Sequence, residues 1–291
     1  MKRIYFIPNA ITAFGLACGL FVIFKLCFGV KGDLYTLFQS ASILILLAAV
    51  ADLADGAVAR LIKAESEFGG QFDSLADAVT FGVAPPLLAL KSISVAGGPG
   101  PLLTFFVIIA AMIYSLCGVL RLVRFNIRSR WAKLEADNGN PSYLIKQKRH
   151  FTGLPIPAAG MGTISLTLFL ISPFADLYLP FSVELRCGIL TFAMMILGYF
   201  MVSRWKFPSV KALHFRVPSF YLVFATGIIT VAVLYGILDY FALVFFILSW
   251  LYLFTGAAFA IIRRIVGKRS RALLEYEPEP EEEDEEKSFN R

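Results

Sequence analysis

Charged residues are scarce in this 291-residue chain and make up 16% of it. Soluble domains ordinarily contain about 25% charged and about 45–50% apolar residues, whereas 58% of this chain is apolar. Several apolar runs reach the ~20 residues that a helix needs to cross a bilayer. The composition therefore excludes an ordinary soluble domain and predicts a polytopic membrane protein.

Histidine and cysteine are also few, with two histidines and four cysteines in the chain. All four cysteines lie in apolar runs and no CxxC pair occurs, so a zinc or iron–sulfur centre is not expected. The thiols are expected to be buried and reduced, acting as small apolar groups. The sequence also lacks a P-loop, which excludes nucleotide binding of the Walker type.

Eight apolar segments are predicted to span the membrane, at residues 9–30, 36–59, 70–90, 101–123, 154–173, 186–203, 218–235 and 239–262. Basic residues alternate between the loops: twenty lie on one side, and only Lys31, Lys91 and Arg186 lie on the other. Cytoplasmic loops carry the excess of Lys and Arg in membrane proteins. The sequence therefore predicts an all-α transmembrane helix bundle with both termini in the cytoplasm.

The net charge of +6 hides two unlike regions. Nine of the 21 acidic residues lie within residues 275–286, so the rest of the chain is strongly basic. Residues 1–271 are expected to form the membrane domain, and residues 272–291 an acidic disordered tail. The basic loops suit membrane lipid head groups or a phosphate-rich substrate. Nucleic acid is not an expected partner, because these bases lie in short loops beside apolar spans.

Four aspartates lie inside predicted spans: Asp52 and Asp55 end the second, and Asp73 and Asp77 begin the third. A carboxylate at membrane depth is costly and indicates a functional site. The spacings of three and four residues place each pair on one helix face. Carboxylate oxygens suit Mg²⁺ or Mn²⁺, and two such ions about 3.5–4 Å apart can clamp the oxygens of a phosphoryl transfer.

The residues alone leave other interpretations of these aspartates open. They could form a proton or cation relay in a transporter, or pair structurally with Arg60 and Arg121. Gly56 and Gly69 extend the same two helix faces, and glycine lets a backbone or a flat ligand approach closely. The combination of four carboxylates, two glycines and an arginine favours a functional site.

The segment from Asp52 to Asp77 resembles the signature of the CDP-alcohol phosphotransferases. It reads D-x-x-D-G-x-x-A-R, then eight residues, then G-x-x-x-D-x-x-x-D. This resemblance implies a membrane enzyme that joins an alcohol to the phosphatidyl group of a CDP-linked lipid and releases CMP. It implies metal ligation by Asp52, Asp55 and Asp73, a CDP site lined by Gly56, Arg60 and Gly69, and a role for Asp77 as ligand, general base or both.

Other segments resemble the phosphatidylserine synthase branch of that family: IPNAIT at 7–12, DSLADAVTFGVAP at 73–85, RLVRFN at 121–126 and FTGLPIPAAG at 151–160. The first segment adds Asn9 and Thr12 to the expected CDP-lipid site. The implied substrates are CDP-diacylglycerol and L-serine, with Mg²⁺ or Mn²⁺ as cofactor. Glycerol phosphate, inositol phosphate and choline remain alternative acceptors.

The serine carboxylate needs a cationic partner. Arg121 and Arg124, with Asn126 beside them, are the candidates for serine or lipid-phosphate binding, and the alternative is that both arginines are membrane anchors. The deeper position of Arg121 favours a ligand role. Many relatives pair, so a homodimer is possible. In a bacterial source the expected location is the inner membrane, with the active site on the cytoplasmic side.

Overall fold

The computed structural model describes residues 6–28, 33–62, 66–95, 97–137, 151–179, 181–203, 206–207 and 240–266. This part of the chain is almost entirely helical, as the sequence predicts. The helices are α1 (Phe6–Phe28), α2 (Leu34–Leu61), α3 (Glu67–Asp77), α4 (Ala84–Val95), α5 (Pro101–Asp137), α6 (Ile156–Leu170), α7 (Pro173–Tyr178), α8 (Val183–Val202) and α9 (Phe241–Val266). Two short strands complete the described elements, β1 (Phe151–Thr152) and β2 (Lys206–Phe207).

Six of the described helical segments are long and apolar enough to cross a membrane: Phe6–Phe28, Leu34–Leu61, Glu67–Val95, Pro101–Trp131, Val183–Val202 and Phe241–Ala258. They match six of the predicted spans and confirm an integral membrane protein. The predicted fifth span, at 154–173, is the 15-residue helix α6, and the seventh, at 218–235, lies outside the described residues. The total of eight spans and the cytoplasmic termini therefore stay predictions, as does the acidic tail.

Helix α6 is the centre of the bundle. Twelve of its 15 residues are buried, and it packs against α2, α4, α8 and α9. A helix that is apolar on every side is typical of such a position. At about 1.5 Å per residue it spans roughly 22 Å, which is shorter than the ~30 Å apolar layer of a bilayer.

The third span is interrupted by a π-helical segment, Ala78–Val83, which joins α3 to α4. Here the amide of Ala84 donates to the carbonyl of Val79, five residues back. The segment follows Asp77 directly, so it connects the acidic start of the span to the apolar helix α4. Pro85 and Pro86, both buried, begin the regular turns after it.

Close packing of α1 brings the first three spans together. A Cβ atom at Gly15 would lie 3.6 Å from the Ala48 carbonyl oxygen of α2, and one at Gly19 would lie 2.5 Å from Thr80 Oγ1. The G-x-x-x-G pattern of α1 is therefore used for close helix approach. This packing places the start of α1 beside the ends of α2 and α3 that carry the aspartates.

Candidate active site

Two helix ends place three of the predicted aspartates together. Asp52 and Asp55 lie near the end of α2, and Asp73 lies on α3, whose start is capped by the Ser66 hydroxyl accepting from the Gly69 amide at 3.0 Å. One carboxylate oxygen from each of the three aspartates lies within 4.8 Å of the others. The predicted cluster therefore exists in the fold. The sequence spacing of the aspartates did not by itself determine how far apart α2 and α3 lie.

Asp77 lies beside this cluster, one turn further along α3. The Asp52 side chain contacts both Asp73 and Asp77. Arg121 of α5 lies within electrostatic reach of Asp52 and Asp77. Its Nε atom is buried and makes no hydrogen bond within the described part of the chain. Arg121 is therefore a buried cation near the aspartates and does not lie with the loop bases.

The start of α1 supports the cluster from the opposite side. The Thr12 hydroxyl lies against the Pro8 carbonyl oxygen and donates to the Asp55 carboxylate, and both Thr12 and Asp55 are buried. Asn9 approaches α3 at Gly69, where a Cβ atom would lie 3.0 Å from Asn9 Oδ1. The structure thus places Thr12 at Asp55 and Asn9 at Gly69. Their role in CDP-lipid binding stays a prediction.

Gly56 and Arg60 lie at the exposed end of α2. Within the described part of the chain, no atom beyond its own helix and neighbours lies within 4 Å of the position that a Cβ would take at Gly56. The role of Gly56 and Arg60 in CDP binding stays a prediction.

Arg124 and Asn126 make protein contacts on the same part of α5. Arg124 Nη1 donates to the Val202 carbonyl oxygen at the end of α8, at 3.3 Å. Asn126 Nδ2 donates to Ser74 Oγ of α3, at 3.0 Å. These contacts join α5 to α8 and α3. Arg124 and Asn126 therefore have a structural role near the aspartates. Their role in ligand binding stays a prediction.

A small, partly open cleft lies at the cluster. Its lining includes the four aspartates and Thr12, together with Thr80 and the α1 residues Gly15 and Leu16. Thr80 is 2% exposed, and its hydroxyl has no hydrogen-bond partner among the described residues. Sequence reasoning missed Thr80, although its position three residues after Asp77 was a signal for it.

The donor set at this cleft fits a divalent cation. No ion pair within the described ranges joins any of the four aspartates to a basic side chain. Several carboxylates in contact in a low-dielectric site repel one another unless a cation compensates their charge. Oxygen-only ligands suit Mg²⁺ or Mn²⁺. Asp52, Asp55 and Asp73 would hold such an ion, with Asp77 beside them.

Comparison with known proteins identifies the family to which this sequence belongs. The sequence matches the CDP-alcohol phosphatidyltransferase family across residues 5–185, which include all four aspartates. The chain belongs to the CDP-alcohol phosphatidyltransferase family. Membership makes the protein a transferase of phospholipid biosynthesis, and it does not favour the transporter alternative.

Relatives of this CDP-alcohol phosphatidyltransferase include several proteins named CDP-diacylglycerol–serine O-phosphatidyltransferase. The one from Bacillus subtilis is 37% identical over 207 residues, which cover 71% of this chain and 92% of the relative. The one from Helicobacter pylori is 29% identical over 272 residues, covering 89% and 97%. The one from Saccharomyces cerevisiae is 33% identical over 163 residues, covering 56% and 54%.

Proposed function

We propose that this CDP-alcohol phosphatidyltransferase is a phosphatidylserine synthase, which transfers the phosphatidyl group of CDP-diacylglycerol to L-serine and releases CMP. The observation that carries the proposal is the cluster of Asp52, Asp55 and Asp73 within 4.8 Å, inside the matched family region. The names of the relatives favour serine as the acceptor.

The proposed cofactor is Mg²⁺ or Mn²⁺, with two ions in the site. When bound, the ions would polarise the pyrophosphate oxygens and stabilise the charge that develops on them. Asp52, Asp55 and Asp73 hold the metal in this proposal. Asn9, Thr12, Gly56, Arg60 and Gly69 line the CDP-lipid site, where the open backbone at Gly56 gives a flat nucleotide room to lie.

Asp77 is proposed as the general base. It lies beside Asp52 and faces the same cleft, so it can accept the proton of the serine hydroxyl. The serine oxygen then bonds to the lipid-bearing phosphorus, and the bond from that phosphorus to the departing CMP oxygen breaks. General-base catalysis of this kind contributes about 10²–10⁴-fold to a rate.

Replacing Asp77 with Asn tests this role. We expect Asp77→Asn to lower turnover by about 10²-fold or more, while CDP-diacylglycerol binding is largely retained because the other three aspartates remain. Turnover is measured as CMP release, and lipid binding by equilibrium titration. Full turnover in Asp77→Asn would remove Asp77 from the mechanism.

Arg121 is the proposed partner of the serine carboxylate, with Arg124 and Asn126 nearby. Its electrostatic proximity to Asp52 and Asp77 supports this, since an acceptor bound by Arg121 would lie near the base. Arg124 and Asn126 already donate to Val202 and Ser74, which leaves Arg121 the stronger candidate. An unchanged KM for serine in Arg121→Ala would exclude it.

The proposed location is the cytoplasmic membrane, the inner one in a bacterium, with the cleft on the cytoplasmic side. The excess of Lys and Arg in alternate loops supports this orientation. Labelling of single cysteines introduced in residues 97–100 and beside Arg60 from either side of intact cells tests it. The possible homodimer stays a prediction.

The substrate assignment is tested with purified protein, CDP-diacylglycerol, Mn²⁺ or Mg²⁺, and one labelled alcohol at a time. We expect CMP release and a labelled lipid with L-serine, and neither with glycerol phosphate, inositol phosphate or choline. Omission of the metal should abolish both signals. CMP release with another alcohol and not with serine would contradict the serine assignment while leaving the family unaffected.

A further inference from the structure

The π-helical segment Ala78–Val83 sets the direction in which the acidic face of α3 points. A π-helical turn accommodates one extra residue compared with an α-helix. Since each residue of an α-helix advances about 100°, an uninterrupted helix would rotate α3 by roughly that angle relative to α4. Helix α4 is fixed by its packing against α6 and α5. Without the segment, Asp73 and Asp77 would therefore turn away from Asp52.

Two prolines directly after the segment leave carbonyl groups without their usual donors. In a regular α-helix, the amides of residues 85 and 86 donate to the carbonyls of residues 81 and 82. Pro85 and Pro86 have no amide hydrogen. Phe81 and Gly82 are buried, so water is not a ready substitute. A buried carbonyl without a partner is costly, which means that another donor is required here.

Helix α5 supplies these donors from two adjacent side chains. The Tyr114 hydroxyl donates to the Phe81 carbonyl oxygen at 3.2 Å. The Ser115 hydroxyl donates to the Gly82 carbonyl oxygen at 2.8 Å and also lies 3.0 Å from the Ala111 carbonyl oxygen of its own helix. Tyr114 has no exposed surface. Each hydroxyl thus replaces one missing proline amide.

We propose that Tyr114 and Ser115 are positioning residues of the active site. By replacing the amides missing at Pro85 and Pro86, they hold the π-helical segment in register and so keep Asp73 and Asp77 directed at Asp52. Neither residue itself lines the cleft, and Tyr114 reaches the lining residue Phe81 only at its backbone carbonyl, so they act through the helix backbone. The inference rests on the proposed metal role of the aspartates.

Mn²⁺ binding to the purified protein, followed by electron paramagnetic resonance, tests this proposal without depending on the acceptor alcohol. We expect Ser115→Ala and Tyr114→Phe to raise the Mn²⁺ concentration for half-saturation about tenfold, in the range known for residues that orient metal ligands. Ser115→Thr keeps the hydroxyl and should bind Mn²⁺ like the wild type. The matched control is Ser92→Ala, because Ser92 is a buried serine of α4 that donates only to its own helix, at Ala89.

A rescue experiment separates the positioning role from general loss of stability. Ser115→Thr should restore the Mn²⁺ affinity that Ser115→Ala loses, because its hydroxyl can donate to the Gly82 carbonyl oxygen. The unfolding temperatures of both variants are measured alongside, so that a loss of Mn²⁺ affinity can be compared with any loss of stability.

Two results would overturn the proposal. One is an unchanged Mn²⁺ half-saturation in both Ser115→Ala and Tyr114→Phe, even if their unfolding temperatures fall. The other is an Mn²⁺ affinity in Ser115→Thr as low as that in Ser115→Ala, which would indicate a general effect on packing. Lack of Mn²⁺ binding by the wild type would instead overturn the proposed metal site, and this inference with it.

Discussion

At the scale of single residues, the Asp55 carboxylate depends on Thr12. The Thr12 hydroxyl donates to Asp55, and both side chains are buried. Residues that hydrogen-bond a metal ligand orient it, and their loss typically costs about 10–100-fold in metal affinity or activity. We expect Thr12→Val to show a loss of this size in the Mn²⁺ dependence of CMP release, because valine keeps the shape and removes the donor.

The control for Thr12→Val is Thr12→Ser, which retains a hydroxyl at the same position. It should keep metal dependence close to that of the wild type. A Thr12→Val protein with wild-type metal dependence would show that Asp55 does not need this hydrogen bond, and would weaken the assignment of Asp55 as a ligand.

Gly19 is a second residue on which the site depends. A Cβ atom there would lie 2.5 Å from Thr80 Oγ1 and 2.9 Å from Thr80 Cα, so the backbone of the π-helical segment would have to move. Overpacking of this kind costs about 1–3 kcal/mol. We expect Gly19→Ala to lower both the unfolding temperature in detergent and the rate of CMP release. Thr80→Ala should relieve the effect only in part, because the contact with Thr80 Cα remains.

Gly70→Ala is the matched control for Gly19→Ala. Gly70 is an exposed residue of α3, and among the described residues no atom beyond its own helix and neighbours lies within 4 Å of its Cβ position. It should leave the unfolding temperature unchanged or raise it slightly, since alanine favours helix by roughly 1 kcal/mol over glycine. If both variants behaved alike, close packing at Gly19 would not matter to the enzyme.

At the scale of elements, the segment after β1 is joined to the end of α8. Gly153 has a φ of 79°, and its Cβ would lie 2.5 Å from the Met201 carbonyl oxygen. The next amide, of Leu154, donates to the Phe200 carbonyl oxygen at 3.0 Å. Strands β1 and β2 pair beside it, with Phe151 opposite Phe207. This junction fixes where the central helix α6 begins.

We expect Gly153→Ala to destabilise the protein by about 1–3 kcal/mol, the cost of holding a side chain in such a strained backbone region. The measurement is thermal unfolding of the purified protein in detergent. Gly188→Ala on α8 is the control, because its Cβ would meet nothing within 4 Å. Equal unfolding temperatures for the wild type and Gly153→Ala would contradict the importance of this junction.

Apolar length predicted the existence of the long helices but not their internal geometry. The sequence indicated a fifth span at 154–173, whereas α6 ends at Leu170 and Ser172 begins α7 by accepting from the Ala175 amide. Apolar length alone cannot distinguish a spanning helix from a short buried one. The π-helical segment was not predicted either. The prolines that follow it and the hydroxyls that we propose to stabilise it lie in different spans.

At the scale of the whole molecule, the aspartates could be assigned from the sequence because charge inside an apolar chain is informative in itself. The motif indicated which aspartates are the expected ligands, and hydropathy predicted that they lie near one membrane face. The hydrogen bond from Thr12 to Asp55 could not be predicted in this way, since Thr12 comes from another helix and was expected at the site only through the resemblance. Pairing with Arg121 was one open alternative, and the structure places Arg121 within electrostatic reach of Asp52 and Asp77.

The last helix lies near the site, although it falls beyond the matched family region, which ends at residue 185. Tyr252 of α9 lies within electrostatic reach of Arg121, and Trp250 Nε1 donates to the Gly162 carbonyl oxygen of α6 at 3.2 Å. Trp250 therefore joins α9 to the central helix.

Mn²⁺ binding to Asp52→Asn and Asp73→Asn is the most direct test of the central claim, that carboxylates from α2 and α3 form one divalent-cation site. The control is Glu67→Gln, because Glu67 is an exposed acid of α3 that pairs with Arg130 outside the cleft. We predict that each aspartate variant loses about tenfold or more in Mn²⁺ affinity, and that Glu67→Gln binds like the wild type. Wild-type affinity in both Asp52→Asn and Asp73→Asn would contradict the claim.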